Sequence, residues 1–221
     1  MKKKIKYKDI AVIGLGTFGY ELAVQLAAQG HNVLAIDKDM EKVNHIKNLV
    51  YEAVQADITD IDVLKKLEIQ KFDEIIFGMS SALESIILSI TLMKKLNVHH
   101  IIGKANTLIQ KEVLLKIGAD EVILPEIATA RRLAERISNP NIMEKLEIDS
   151  GQFLIEVKVP EKFHNKDLKE LELRKKYGIN IIMKKNNDKM EIISDPSTKL
   201  LHGDIILVVG AEEIVNKIFN N

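Results

Sequence analysis

The segment Gly14-Leu15-Gly16-Thr17-Phe18-Gly19 carries the most legible chemistry in this sequence. A β-branched run, Ile10–Ile13, leads into it and a helical pattern follows. In that context each glycine has a task. Gly14 permits the tight turn out of the strand. Gly16 puts no side chain between the backbone and a pyrophosphate. Gly19 lets the helix pack closely on the sheet. Thr17 and Phe18 complete the loop at a helix N-terminus, whose free N–H groups and partial positive charge suit phosphate. Asp37 closes the next β-branched run at the roughly twenty-residue distance where a carboxylate accepts hydrogen bonds from ribose hydroxyls. The same charge disfavours a 2′-phosphate, an exclusion that Lys38 softens. Asp57, after the third run, either borders an adenine or serves as a helix cap or turn residue. NAD, ATP, ADP and AMP share the adenosine ribose, so this motif does not choose among them.

Signs of catalysis are sparse. The tyrosines are Tyr7, Tyr20, Tyr51 and Tyr177, and none has Lys four residues on, as a short-chain dehydrogenase would. His31, His45, His99, His100, His164 and His202 show no His-Glu-x-x-His spacing. His99 and His100 read as ordinary residues at a strand start. There is no cysteine, which excludes disulfides and thiolate metal sites. A site that binds a nucleotide in order to regulate is therefore favoured over the alternative, a small NAD-dependent oxidoreductase.

The elements that position these residues follow from periodicity. Strands are predicted at Ile10–Ile13, Asn32–Ile36, Glu52–Gln55, Glu74–Phe77, His100–Gly103 and Glu121–Leu124. Helices are predicted between them at Gly19–Ala28, Met40–Leu49, Ile61–Leu67, Ala82–Leu96 and Leu108–Ile117, with another at Glu126–Ile137. This alternation gives an α/β fold, a Rossmann-like doubly wound parallel sheet with right-handed crossovers. After the turn cluster Ser138-Asn139-Pro140-Asn141 the pattern becomes α+β, with strands at Phe153–Val159, Ile179–Met183, Met190–Ile193 and Ile205–Val209. The expected domains are 1–138 and 139–221, with the boundary near Ser138–Glu144. Hydrophobic residues make up 46% of the chain and aromatics 5%, so the cores must be aliphatic. Thirty-two basic residues balance thirty-two acidic ones, which gives no support to nucleic-acid binding. No apolar stretch follows the N-terminal lysines as in a secretory signal, and Ile86–Met93, the most apolar run, is too short to span a bilayer. A soluble, intracellular protein is expected.

Several segments resemble the cytoplasmic gating subunits of bacterial potassium uptake systems, the KtrA/TrkA group of RCK proteins (regulators of potassium conductance). They are Ala11–Gly19, Val33–Asp37, Lys116-Ile117-Gly118-Ala119-Asp120 and Pro125-Glu126, then Leu173–Ile179 and His202–Gly210 in a smaller C-terminal RCK subdomain. The resemblance implies a homo-oligomer, dimers with swapped or crossed helices assembled into a ring, commonly octameric. The ring would be cytoplasmic, docked at the inner face of the membrane on a potassium-translocating subunit that it gates. It further implies ATP/ADP or NAD(H) at Gly14, Gly16, Gly19, Asp37 and Asp57, a basic residue near the nucleotide at Lys104, and a cation at Glu126. For Glu126 a simple favourable charge at a helix N-terminus stays an equal alternative. Arg174, Ile179, Asn180, Ile181 and Pro196 fall where such proteins bind cyclic di-AMP at a dimer interface, with ordinary dimer packing as the other reading. Thr17 departs from the Arg that KtrA-like members often carry after the second glycine, which shifts weight toward ADP, NAD(H) or a weaker discrimination for ATP. The basic arm Lys2–Lys8 would touch an acidic membrane or the transporter, or remain a solvated terminus.

Overall fold

Successive residues of a strand point to opposite faces, and β1 (Asp9–Ile13) uses both. Ala11 and Ile13 enter one apolar cluster while Ile10 and Val12 enter another. Strands buried on both faces belong in the middle of a parallel sheet covered by helices on each side. The computed structural model describes residues 7–186 and 189–219. In it the chain divides into two compact units, Met1–Ala128 and Thr129–Asn221.

The first unit alternates β1, α1 (Thr17–Ala28), β2 (Asn32–Asp37), α2 (Met40–Ile46), β3 (Glu52–Gln55), α3 (Ile61–Lys66), β4 (Glu74–Phe77), α4 (Leu83–Lys95), β5 (Ile101–Lys104), α5 (Leu108–Ile117) and β6 (Glu121–Ile123). The strands lie in the order β3-β2-β1-β4-β5-β6, all parallel. This is the Rossmann-like sheet expected from the sequence. Ile86, Ile90, Met93 and Leu114 from α4 and α5 close one face, and Ala23, Val43 and Ile46 from α1 and α2 close the other. Each fully buried aliphatic side chain of this kind contributes about 1.5–3 kcal/mol. The order reverses between β1 and β4. At the carboxyl end of that pair the helices leave in opposite directions and open a crevice.

Helix α6 (Pro125–Ser138) runs through the division between the units, so the expected boundary after Ser138 lies at its far end. None of its residues is buried. The second unit holds β7 (Ile142–Asp149), β8 (Gln152–Lys158), α7 (Leu168–Leu171), α8 (Leu173–Tyr177), β9 (Asn180–Asn186), β10 (Lys189–Ile192), β11 (Ile205–Ala211) and α9 (Glu212–Phe219). Its sheet has the order β10-β9-β11-β8-β7, with every neighbour antiparallel. Ile155, Val157, Ile206 and Val208 face Val215 and Phe219 of α9, and the Phe163 ring meets Phe219 edge-on at 5.5 Å. β7 went unread in the sequence. Its first residues fell in the segment taken as a boundary, and on this edge strand Leu146 and Ile148 alternate with charges yet remain exposed. Among the described residues no helix is long and apolar enough to cross a membrane.

Candidate functional site

The glycine loop is held by backbone contact. Gly14 turns with φ +88°, and its N–H donates to the Ile36 carbonyl at 2.7 Å. A Cβ on Gly19 would overlap the Gly14 carbonyl oxygen, and one on Gly78, just past β4, would stand 2.6 Å from the Gly19 Cα. Backbone thus lies against backbone where the loop, α1 and β4 meet, with no room for a side chain. Gly16 differs: a Cβ there meets nothing within 4 Å. It caps α1 without a side chain and faces open space, as a phosphate cradle requires.

That space is a crevice of about 450 Å³ at the β1/β4 reversal. Gly14, Gly16, Thr17, Phe18, Asp37, Lys38, Lys104 and Glu126 line it. Gly19 stands behind the loop as a packing residue. Lys42 and the segment Gly78-Met79-Ser80-Ser81 also line the crevice, and sequence reading missed them as site residues. For Gly78–Ser81 the signal was the end of the fourth strand, which becomes a site only once the strand order is known; Lys42, in α2, carried none.

Asp37 ties β2 to the loop. Its carboxylate accepts from the Leu15 N–H at 2.6 Å and the Asp39 N–H at 2.9 Å, with the Lys42 ammonium 3.5 Å away. Partial burial opposes ionisation, but those backbone donors and Lys42 outweigh it and hold the carboxyl below its ordinary range. A carboxylate offers about four acceptor positions. Leu15, Asp39 and Lys42 engage three of them, which leaves one for a ribose hydroxyl unless Lys42 gives way.

Asp57 does not line the crevice. One oxygen closes a turn on Thr59, accepting from its hydroxyl at 2.6 Å and its N–H at 2.9 Å. The other pairs with Lys38 at 3.0 Å. The Thr59 hydrogen bonds bring its pKa down from 3.8 to about 2. The cap of α3 is Asp60, not Asp57.

Lys104 ends β5 and is nearly enclosed. Its ammonium donates to Ser80 Oγ at 3.2 Å, meets Glu126 Oε1 at 2.7 Å and lies 5.9 Å from the centre of the Phe18 ring. The Ser80 hydroxyl donates in turn to Asn106 Oδ1 at 2.8 Å. The hydrogen bond from Lys104 lowers the pKa of Glu126. Lysine and serine lie close enough for a nucleophile–base pair, but this ammonium donates in both contacts, which suits a fixed positive charge. Among the described residues no group of three His, Cys, Asp or Glu is placed to hold a metal ion. His100, at the threshold of β5, bonds the carboxylate of Glu74, which also pairs with Lys8 at 2.7 Å. Lys2–Lys6 of the basic arm lie outside the described residues.

In the second unit Arg174, Ile179, Asn180, Ile181 and Pro196 come together around a hollow of about 290 Å³, joined by Leu168, Leu173, Ile193 and Ser194. Other residues singled out in the sequence serve the fold. Asp120 accepts from the Ile101 N–H and from Lys94, both at 2.8 Å. Asp204 accepts from the Leu201 N–H and from Lys184, both at 2.6 Å, at the turn into β11.

Residues 10–125 match the TrkA-N domain and residues 153–221 the TrkA-C domain. The chain belongs to the KtrA/TrkA family. It is 37% identical to the Ktr system potassium uptake protein C of Bacillus subtilis over 205 residues, 92% of either chain. It is 30% identical to the Ktr system potassium uptake protein A of the same organism, over 98% of each. In fold it is similar to the GsuK channel (TM-score 0.69, 18% identity), spanning 98% of this chain and 39% of that one. It is also similar to GsuK bound to NAD (TM-score 0.64, 16% identity, 99% and 40%) and to GsuK bound to ADP (0.54, 19%, 62% and 36%). The KtrA/TrkA family thus unites the two units, the first carrying the glycine crevice and the second the antiparallel sheet.

Proposed function

We propose that this KtrA/TrkA-family chain is a cytoplasmic regulatory subunit that senses an adenine nucleotide and gates a membrane potassium-translocating subunit. The observation that carries the reading is the crevice at the β1/β4 reversal. There an ionised Asp37 and an unobstructed Gly16 stand at the two ends that an adenosine ribose and its phosphates would need. Kinship with Ktr potassium uptake proteins supports the transport context, and NAD and ADP in GsuK, a structural neighbour, support the ligand class. Asp37 selects an unphosphorylated ribose. Thr17 offers one hydroxyl and no charge, so ADP or NAD(H) suits the loop as well as ATP. Binding gates only if two conformations of the assembly hold the ligand with different affinity.

The assembly is a homo-oligomer, a dimer joined through α6 and built up to an octameric ring, peripheral to the inner face of the membrane. Cyclic di-AMP is the second ligand, at the hollow around Arg174. That volume is near the low end for ligand sites, which fits one half of a symmetric dinucleotide shared between two copies. A cation beside Glu126 would need further ligands from another source, since within this chain one Glu126 oxygen already meets an ammonium. Parallel titrations with ATP, ADP, NADH and cyclic di-AMP, with the mass of the assembly recorded for each, test the whole reading. It predicts an oligomer that binds at least one adenine nucleotide and changes shape or mass with it. A monomer indifferent to all four would refute it. Cyclic di-AMP binding should survive Asp37→Ala and weaken with Arg174→Ala; indifference to the second change would refute the placement of that site.

A further inference from the structure

We propose that the second unit carries an anion site of its own, which takes the phosphate groups of a ligand. The site is the hollow between the start of β7, the end of β8 and the turn into β11. Its volume is about 1050 Å³, and its polar lining is Asn141, Lys158, Glu161, Lys162, His164 and His202. It shares no residue with the hollow around Arg174. Backbone hydrogen bonds fix the segments that build it. The Lys158 N–H donates to the Asn141 carbonyl at 2.8 Å, the Val159 N–H to the Asp204 carbonyl at 2.9 Å and the Asn165 N–H to the Leu200 carbonyl at 2.7 Å. Between them Glu161–Phe163 form a short 3-10 turn, pinned by the Phe163 ring against Phe219. The basic side chains are therefore carried on anchored backbone.

The charges point to an anion. Lys38, Lys42 and Lys104 of the nucleotide crevice each meet a carboxylate. Among the described residues Lys158 and Lys162 form no ion pair, and the Lys162 ammonium lies 5.8 Å from the centre of the Phe163 ring. Asp204, in the neighbouring turn, is committed to the Leu201 N–H and to Lys184, both at 2.6 Å. Glu161 is thus the one carboxylate in the lining. Each ammonium brings three donors. The His164 and His202 rings stand edge to face with their centres 5.1 Å apart. Two imidazoles alone would suit a transition metal. Here two ammonium groups line the same hollow and oppose a cation, and among the described residues no third His, Cys, Asp or Glu completes a metal set. Each ring instead offers an N–H to a phosphate oxygen in either tautomer. The hollow is large enough for more than one phosphate group. A soluble diphosphate and an anionic lipid headgroup present this same chemistry.

Calorimetric titration of the full chain with inorganic pyrophosphate in EDTA tests this in wild type, K158M, K162M, the double variant and H202A. All three side chains are exposed, so the variants keep the fold. Binding at this hollow is the component that survives K104M and R174A. Each lysine variant should weaken it about twofold to fivefold, the double variant about tenfold and H202A about twofold. ADP binding should be unchanged in all four. Sedimentation with phosphatidylglycerol vesicles, set against phosphatidylcholine, separates the two sources. Vesicle binding lost in the double variant assigns a lipid headgroup, and pyrophosphate binding without vesicle binding assigns a soluble ligand. A wild type indifferent to both probes, or a double variant that binds both as the wild type does, overturns the site. Zinc binding without EDTA that is lost in H202A, with no response to either phosphate probe, would make the histidines a metal site and likewise overturn it.

Discussion

Two glycines three residues apart have opposite demands. A Cβ on Gly19 would overlap the Gly14 carbonyl, while one on Gly16 meets only open space. Gly19→Ala should therefore destabilise the first unit by about 1–3 kcal/mol or more, because backbone must move to admit it. Gly16→Ala should leave thermal stability nearly unchanged and weaken nucleotide binding. Paired thermal melts and titrations check this, and equal loss of stability in both variants would contradict it. Asp57 gives a pH prediction. Its folded pKa of about 2 lies below the ordinary 3.8, so its stabilising contribution is complete above that ordinary value and disappears as pH falls toward 2. Asp57→Asn should flatten stability against pH in that window alone. A slope unchanged by the substitution would mean that the turn on Thr59 and the pair with Lys38 do not persist in solution.

At the scale of elements, the parallel unit was legible because its strands are β-branched runs buried on both faces and its helices show one apolar side. The glycine loop and Asp37 were legible for the same reason, since a strand and a helix frame them. Lys104 and Glu126 were located only through the family resemblance, because their meeting depends on β5 pairing with β6 at Lys104 and Ile123. Ser80 was missed, since a serine after a strand carries no signal until the reversal of strand order puts it in the crevice. β7 was missed because an edge strand covered on few sides need not bury its alternate residues, and Leu146 and Ile148 are exposed. The turn before it, Asn139-Pro140-Asn141, is the stronger local signal and reads as a boundary. In the second unit Lys145 of β7 meets Glu212 of α9 at 2.7 Å and Glu135 of α6 at 3.3 Å. Lys145→Ala should lower the stability of that unit by about 1 kcal/mol, measured by thermal unfolding. No change would mean that β8 and β11 alone hold α9.

At the scale of the whole molecule, α6 exposes an apolar stripe among the described residues. Leu133 and Ile137 are exposed, the latter at 71%, on a helix with no buried residue. A second copy of the chain would offer the same stripe in return. Ile137→Asp should shift the assembly toward smaller species in mass measurements, and an unchanged mass would place the contact elsewhere. Glu126, in the first turn of the same helix, also lines the crevice. The central claim is that Asp37 and the glycine loop hold an adenine nucleotide, and isothermal titration of wild type and Asp37→Ala with ADP and NADH tests it most directly. The account predicts saturable binding by the wild type and at least a roughly tenfold loss in the variant, which stays folded by circular dichroism but no longer accepts from the ribose hydroxyls. Equal binding by a folded Asp37→Ala, or no binding by the wild type, would contradict it.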